Sequence, residues 1–338
     1  MSNRGTIQVA TLLVLVACAG ERATPSAATT VRGSYLANGV ARCFWCHSPL
    51  DNSNPAYPRP DTLGSGDILD KATPIVASNL TPDIETGLGS WTDSEIIAAI
   101  RQGIGRDGHQ LRAHPGSYYS VMTDDDAASV VDYLRSLKPI KRKLPRSAAA
   151  TSFRDSIQSS VEPMKPERLR TPLERGAYLV QLGECLGCHT TTTLSGNPAV
   201  DMRYGGGRLF YIEMGVGSEV PSSNSKHNGT TDGGAPIVAS ANITRDASGI
   251  PYYTEQVFIT TIRTGRVANV RPLSAAMPWI FFRNMTDDDL RAVFAYLRSL
   301  PPVPHTVTNA EAPTFCKRCG RWHGGGESNV AKHPNLLR

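Results

Sequence analysis

The sequence predicts a mainly α-helical chain in which two tandem modules are joined by an irregular linker. Three observations carry the prediction. One stretch is written twice: "RGSYLANGVARCFWCHS" from Arg32 returns as "RGAYLVQLGECLGCHT" from Arg175, and "TPIVASNLTPD" at 73–83 returns as "APIVASANITRD" at 235–246. Similarity over that much sequence marks a duplication. Each copy also closes on the same helical pattern, Met-Thr-Asp-Asp-Asp followed by apolar residues three and four apart. Between the copies, Lys141–Pro172 mixes charge, Ser and Pro without apolar periodicity, as a surface-crossing linker does.

The elements follow in order. After the single early Arg4, an apolar run from Val9 to Ala17 has the length of a signal-peptide core and is too short to span a bilayer. Residues 1–17 are thus expected to direct export and be removed. Leu15-Val16-Ala17-Cys18 resembles a bacterial lipobox, which makes Cys18 a lipidated first residue and the protein membrane-anchored rather than membrane-spanning. Residues 18–31, rich in Ala and Thr, read as a flexible tether. The first module spans 32–140. Within it, Thr92 and Glu95 form a capping-box pattern for a helix ending near Gly103, and Thr123 with Asp126 caps a second. On that second helix Ala127, Val130, Val131, Leu134 and Leu137 form one face before Pro139 ends the run. The second module spans 173–304. A helix begins near Thr254, and Thr286 starts the last, with Leu290, Val293, Phe294, Leu297 and Leu300 on its face before Pro301. Residues 305–338 form a tail. The formal charge of +5, reduced by one if Arg4 leaves with the leader, makes no case for nucleic acid.

Chemistry enters with the cysteines. Apart from Cys18, six form three Cys-x-x-Cys pairs, and two of these are followed at once by histidine: "CFWCH" at 43–47 and "CLGCH" at 185–189. Cys-x-x-Cys-His attaches c-type haem, the two thiols bonding the porphyrin and the histidine reaching iron from the same turn. Two covalent haem c groups are therefore expected, tethered by Cys43, Cys46, Cys185 and Cys188, with His47 and His189 as proximal ligands. Met277, ahead of Pro278 and the last helix, is the expected sixth ligand of the second haem. The matching position in the first module is His114, ahead of Pro115, which would make that haem bis-histidine and lower in potential. Met122, His109 or an open site are the alternatives there; Met122 has a counterpart in Met285, beside Met277, and so reads as packing. The third pair, Cys316 and Cys319 in "FCKRCGRWHGGG", lacks the following histidine and reads as a local disulfide, the alternatives being a metal site that uses His323, with or without His333, and a partner-facing or eroded haem motif. "GIGRDG" at 103–108 follows a predicted helix rather than a strand, which argues against a dinucleotide site. His227 is expected in solvent, and His305 at a contact with a neighbour.

With these motifs in view, the sequence resembles the diheme class I cytochromes c, and in particular is similar to the cytochrome c subunits of membrane-bound alcohol, gluconate and related dehydrogenases. The resemblance covers about residues 32–139 and 174–302 and includes "SNLTPDIETGLGSWTDSEI" and the closing Met-Pro ahead of "TDDDLRAVFAYLRSLPP". It implies two class I cytochrome c modules and an axial role for Met277. It also implies transfer of single electrons from a dehydrogenase subunit to an acceptor cytochrome or oxidase on the periplasmic side of a bacterial membrane or at the cell surface. The first module departs in having His114, and "NITRDASGIPYYTEQ" lacks the acidic-glycine signature of the first copy. The chain carries no substrate-oxidising machinery of its own. A diheme peroxidase or thiosulfate-oxidising enzyme with one open or displaceable haem site is the competing class; no cysteine at a distal position supports the latter.

Overall fold

A computed structural model describes residues 26–51, 54–70, 75–111, 114–145, 162–192, 198–211, 237–267, 271–274, 276–307, 314–317 and 321–323. Cys18, His227, Cys319 and His333 lie outside these residues.

Five helices follow one another in the first half: α1 (Ala27–Tyr35), α2 (Cys43–Cys46), α3 (Asp93–Gln102), α4 (Gly116–Tyr119) and α5 (Asp124–Ser136). The second half has α6 (Pro172–Leu182), α7 (Cys185–Cys188), α8 (Glu255–Thr264), α9 (Trp279–Phe282) and α10 (Asp287–Ser299), the same order of lengths. Strands among the described residues are short and pair only as two-stranded antiparallel ribbons.

The helices start and stop where side chains satisfy their ends. Thr123 Oγ1 accepts the Asp126 N–H and Thr286 Oγ1 that of Asp289, each stopping one of the orphan donors of a first turn. At α3 the cap is reciprocal: Thr92 accepts from Glu95 N–H while Glu95 accepts from Thr92 N–H at 2.7 Å. Gly103 and Gly265 end α3 and α8 at φ of 64° and 67°, a conformation open to glycine at little cost. Ser26 caps α1, so helix reaches into the stretch expected as tether; once the Ser26 hydroxyl takes the Thr29 N–H, Ala27–Thr30 can continue the turn.

In each half the first and last helices cross in close contact, α1 on α5 and α6 on α10. Gly33 and Gly176 make the crossing possible, each facing a backbone carbonyl of the partner helix, Ser129 and Ala292. Around the crossings Leu36, Val40, Phe44, Val130, Val131, Leu179, Leu182, Leu290 and Leu297 are buried in one continuous core running through both halves. Each such side chain contributes about 1.5–3 kcal/mol by leaving water.

One difference in the duplicated segment has a visible result. Arg32 precedes Cys43 by one residue more than Arg175 precedes Cys185, and the extra residue is absorbed in a π-helical turn at Leu36–Val40 at the end of α1. The tail contains a hairpin, Thr314–Cys316 with Arg321–His323, that the sequence reading lacked; its expected disulfide between Cys316 and Cys319 falls outside the described side chains. His305 is not placed for a neighbour: it is 2% exposed and its Nδ1 donates to the Gly205 carbonyl. No described helix is long and apolar enough to cross a membrane.

Candidate functional site

Both Cys-x-x-Cys-His segments are built alike. Arg42 and Glu184 stand in the left-handed region, at φ of 42° and 55°, and turn the chain sharply into the one-turn helices α2 and α7. The histidine N–H at the end of each turn donates back to the first cysteine's carbonyl, His47 to Cys43 and His189 to Cys185. The turn thereby sets two thiols and an imidazole close together. Each ring is then oriented by a backbone carbonyl: His47 Nδ1 donates to Ser78 O and His189 Nδ1 to Ala241 O, both at 2.7 Å. Ser78 ends the first "PIVAS" segment and Ala241 directly follows the second, each just ahead of an asparagine. Holding Nδ1 as the donor leaves Nε2 as the lone-pair nitrogen, the tautomer a metal-ligating imidazole needs. Burial lowers both imidazoles below their ordinary value against the opposing effect of these hydrogen bonds. Burial likewise pushes the thiols of Cys43, Cys46 and Cys185 up to about 12.

His47 opens into a largely apolar cavity of about 1360 Å3, lined also by Cys43, Cys46, Leu88, Leu134 and His114. His114 is brought there by the loop that follows Gly103, pinned where Leu111 N–H donates to Gly103 O, and its ring meets Tyr119 edge-on at 6.1 Å. Its Nδ1 is buried without a hydrogen-bond partner. A buried polar nitrogen left unsatisfied asks for a reason. Burial, followed by the nearby His47, pushes this imidazole down to about 3, so it is neutral and able to donate a lone pair. Met122 also borders the cavity, packed in the core at 1% exposure. His109 borders it too, but is paired with Asp107 and mostly exposed. The thiol pair, the oriented imidazole, the second buried imidazole and the apolar walls fit a covalently attached haem. Among the described residues no cluster of three His, Cys, Asp or Glu side chains is placed to hold a bare metal ion.

In the second half Met277 is partly buried against the core, directly before α9. Its neighbour Pro278 has φ −79° and ψ 45°, and Pro115 after His114 has φ −79° and ψ 33°, so His114 and Met277 hold equivalent places. The second site also touches the first. Glu184, Cys188, Phe210 and Ala276 line the first cavity together with His47 and His114.

The sequence reading missed the contacts that join the halves. Asp126 accepts from Arg32 of its own half and from the Tyr178 hydroxyl of the other, at 2.8 and 2.6 Å. Asp289 reciprocates, pairing with Arg175 of its own half and the Tyr35 hydroxyl of the other. The sequence pattern gives Asp126 only a place in a helix cap. Trp45 packs on Phe281, while at the matching place Tyr118 lies over Gly187. Such reciprocity is what a two-fold relation between similar halves produces. The available signal was the repeated Arg-Gly-x-Tyr-Leu ahead of each motif.

No family model matches the chain. It is nevertheless similar over most of its length to cytochrome c subunits of dehydrogenases. It is 28% identical to the cytochrome c subunit of an alcohol dehydrogenase (quinone) from Gluconacetobacter polyoxogenes, covering 91% of this chain and 68% of that one. It is 27% identical to the subunit of the same name from Gluconobacter oxydans, covering 81% of this chain and 55% of that one. It is 26% identical to a diheme cytochrome c-type protein of Cereibacter sphaeroides, covering 78% and 85%. The chain thus spans from about half to two thirds of the length of the alcohol dehydrogenase subunits it matches.

Proposed function

We propose that this protein is an exported diheme c-type cytochrome of two class I modules. In this reading it passes single electrons from a periplasmic or membrane-associated donor, the catalytic subunit of a dehydrogenase, to an acceptor cytochrome or oxidase. The observation that carries the reading is the pair of matching proximal arrangements, His47 on Ser78 O and His189 on Ala241 O, each at the end of a one-turn Cys-x-x-Cys helix. Haem c supplies the chemistry the side chains lack, an iron that alternates between ferric and ferrous. Cys43 and Cys46 tether one group and Cys185 and Cys188 the other. His47 and His189 serve as proximal ligands, fixed in tautomer by their carbonyl partners. His114, which lines the same cavity as His47, would be the second protein ligand at the first site, and Met277 would be the second protein ligand at the other. Imidazole donates more strongly than a thioether and favours ferric iron, so the first site has the lower potential and electrons fall toward the second. Cys188 on the border of the first cavity keeps that passage short. Cys18 anchors the chain to the periplasmic side of a membrane or to the cell surface through lipid.

Low-temperature EPR with near-infrared magnetic circular dichroism on the oxidised holoprotein tests the ligation. One bis-histidine and one histidine–methionine signal are expected, with only the former converted in His114→Met. A high-spin haem in the unaltered protein, or no response to the substitution, would remove His114 as a ligand.

A further inference from the structure

Between the two cysteine turns lies a buried ion pair that this reading does not use. Arg42 Nη2 meets Glu184 Oε1 at 3.0 Å, with side chains 9% and 18% exposed. Arg42 also donates to the Gly183 carbonyl at 3.0 Å and lies over the rings of Trp45 and Phe282. The Tyr119 hydroxyl donates to Ala41 O at 2.8 Å and approaches Glu184 Oε1 at 3.1 Å. The charged partners occupy one equivalent position in the two halves, the left-handed residue just before the first cysteine. The pair therefore clamps one turn to the other across the reciprocal interface.

Stability alone is a weak reason for such a pair. Removing two charges from water costs several kcal/mol per ion, and an apolar pair of similar volume is often as stable. What apolar side chains would not supply is a fixed field in a poorly screened place. Arg42 and Glu184 both border the first cavity, and Cys188 of the second site lies on the same wall.

We propose that Arg42 and Glu184 are positioning residues that lock the two haem turns together and set both reduction potentials through opposed charges, Arg42 favouring the added electron and Glu184 opposing it. The inference rests on the two-haem reading. Its test is spectroelectrochemical titration of the holoprotein, with haem content checked by mass and by pyridine haemochrome. Arg42→Gln should shift both midpoints down, Glu184→Gln should shift both up, and the double variant should return close to the starting values. Arg42→Lys keeps the charge while losing the planar donors, and should leave the potentials nearly in place. Should Arg42→Gln fail to mature, the upward shift in Glu184→Gln and the constancy in Arg42→Lys still decide. Two haems present with shifts of the same sign in both single variants, or with none, would overturn the inference alone. Absence of covalently bound haem from the unaltered protein would overturn the two-haem reading and the inference with it.

Discussion

Placing a methyl group on Gly33 or Gly176 probes the crossing on which each half depends. A Cβ at Gly33 would lie 1.8 Å from the Ser129 carbonyl oxygen and 2.8 Å from Tyr133 Cβ; at Gly176 it would lie 2.0 Å from Ala292 O and 2.8 Å from Tyr296 Cβ. Ordinary contact begins at 3.4 Å. The obstructing atoms are backbone, so relief requires moving α1 off α5, or α6 off α10, by more than an ångström. Two effects compete. Alanine in place of glycine within a helix gains about 0.5–1 kcal/mol from the unfolded state. Overpacking costs about 1–3 kcal/mol, and parting the helices also loosens the buried stripes of Val130, Leu134, Leu290 and Leu297. The clash wins, and a net loss of about 2 kcal/mol or more is expected for either variant. Urea unfolding of the holoprotein, followed by far-ultraviolet circular dichroism, should show a lower midpoint with an unchanged slope. Gly39→Ala is the control, because its Cβ would meet only Phe281 O at 3.9 Å; it should fall within about 0.5 kcal/mol of the parent. Parent-like stability of Gly33→Ala and Gly176→Ala would refute the reasoning.

Two further outcomes follow from the caps and the reciprocal contacts. Thr92→Ala removes the hydroxyl that takes the Glu95 N–H but keeps the backbone N–H that donates to the Glu95 carboxylate, so it should cost about 1 kcal/mol in the same denaturation assay, much as Thr254→Ala, whose hydroxyl takes the Val257 N–H. Tyr178→Phe removes the hydroxyl shared by Asp126 and the Thr123 N–H and should cost about 1–2 kcal/mol at neutral pH. Burial, then the Asp126 charge, raises this phenol well above its ordinary 10, so its stabilisation is whole below pH 10 and is lost as pH rises beyond. The alkaline fall in stability should therefore be shallower in Tyr178→Phe than in the parent, measured as denaturation midpoints between pH 8 and 11.

What was legible in the sequence was what repeats locally. The caps at Thr123 and Thr286 and the stripes on α5 and α10 depend on residues three or four apart, so periodicity exposes them. Cys-x-x-Cys-His is a single turn and carries its own geometry. The burial of Asp126 and Asp289 was not legible, because their partners Tyr178 and Tyr35 belong to the other half. A capping aspartate looks the same in sequence whether it faces solvent or a tyrosine. Equally, nothing local tells that Arg42 and Glu184 face one another; that follows only once the two left-handed turns are brought together. The π turn at Leu36–Val40 was in principle countable, since one residue more separates Arg32 from Cys43 than Arg175 from Cys185. Its form, a widened turn rather than a loop, is settled by Leu36, Ala37 and Val40, which stay buried.

The reciprocal interface also explains why some duplicated positions diverged. Residues 42 and 184 meet each other, so identical copies would bring two guanidinium groups or two carboxylates together in a site where neither charge is screened. A charged residue at this position obliges the halves to differ. Tyr119 and its counterpart Phe282 follow from the same rule: the Tyr119 hydroxyl has the Glu184 carboxylate to face, whereas Phe282 lies beneath Arg42, which offers only donors. Positions 114 and 277 are not bound in this way. Each stands ahead of a proline with nearly the same backbone angles, and the short helix that follows is kept in both halves. Packing at the interface does not require imidazole in one and thioether in the other. In the proposed reading the change there is chemical, a different iron ligand for each of two otherwise similar sites.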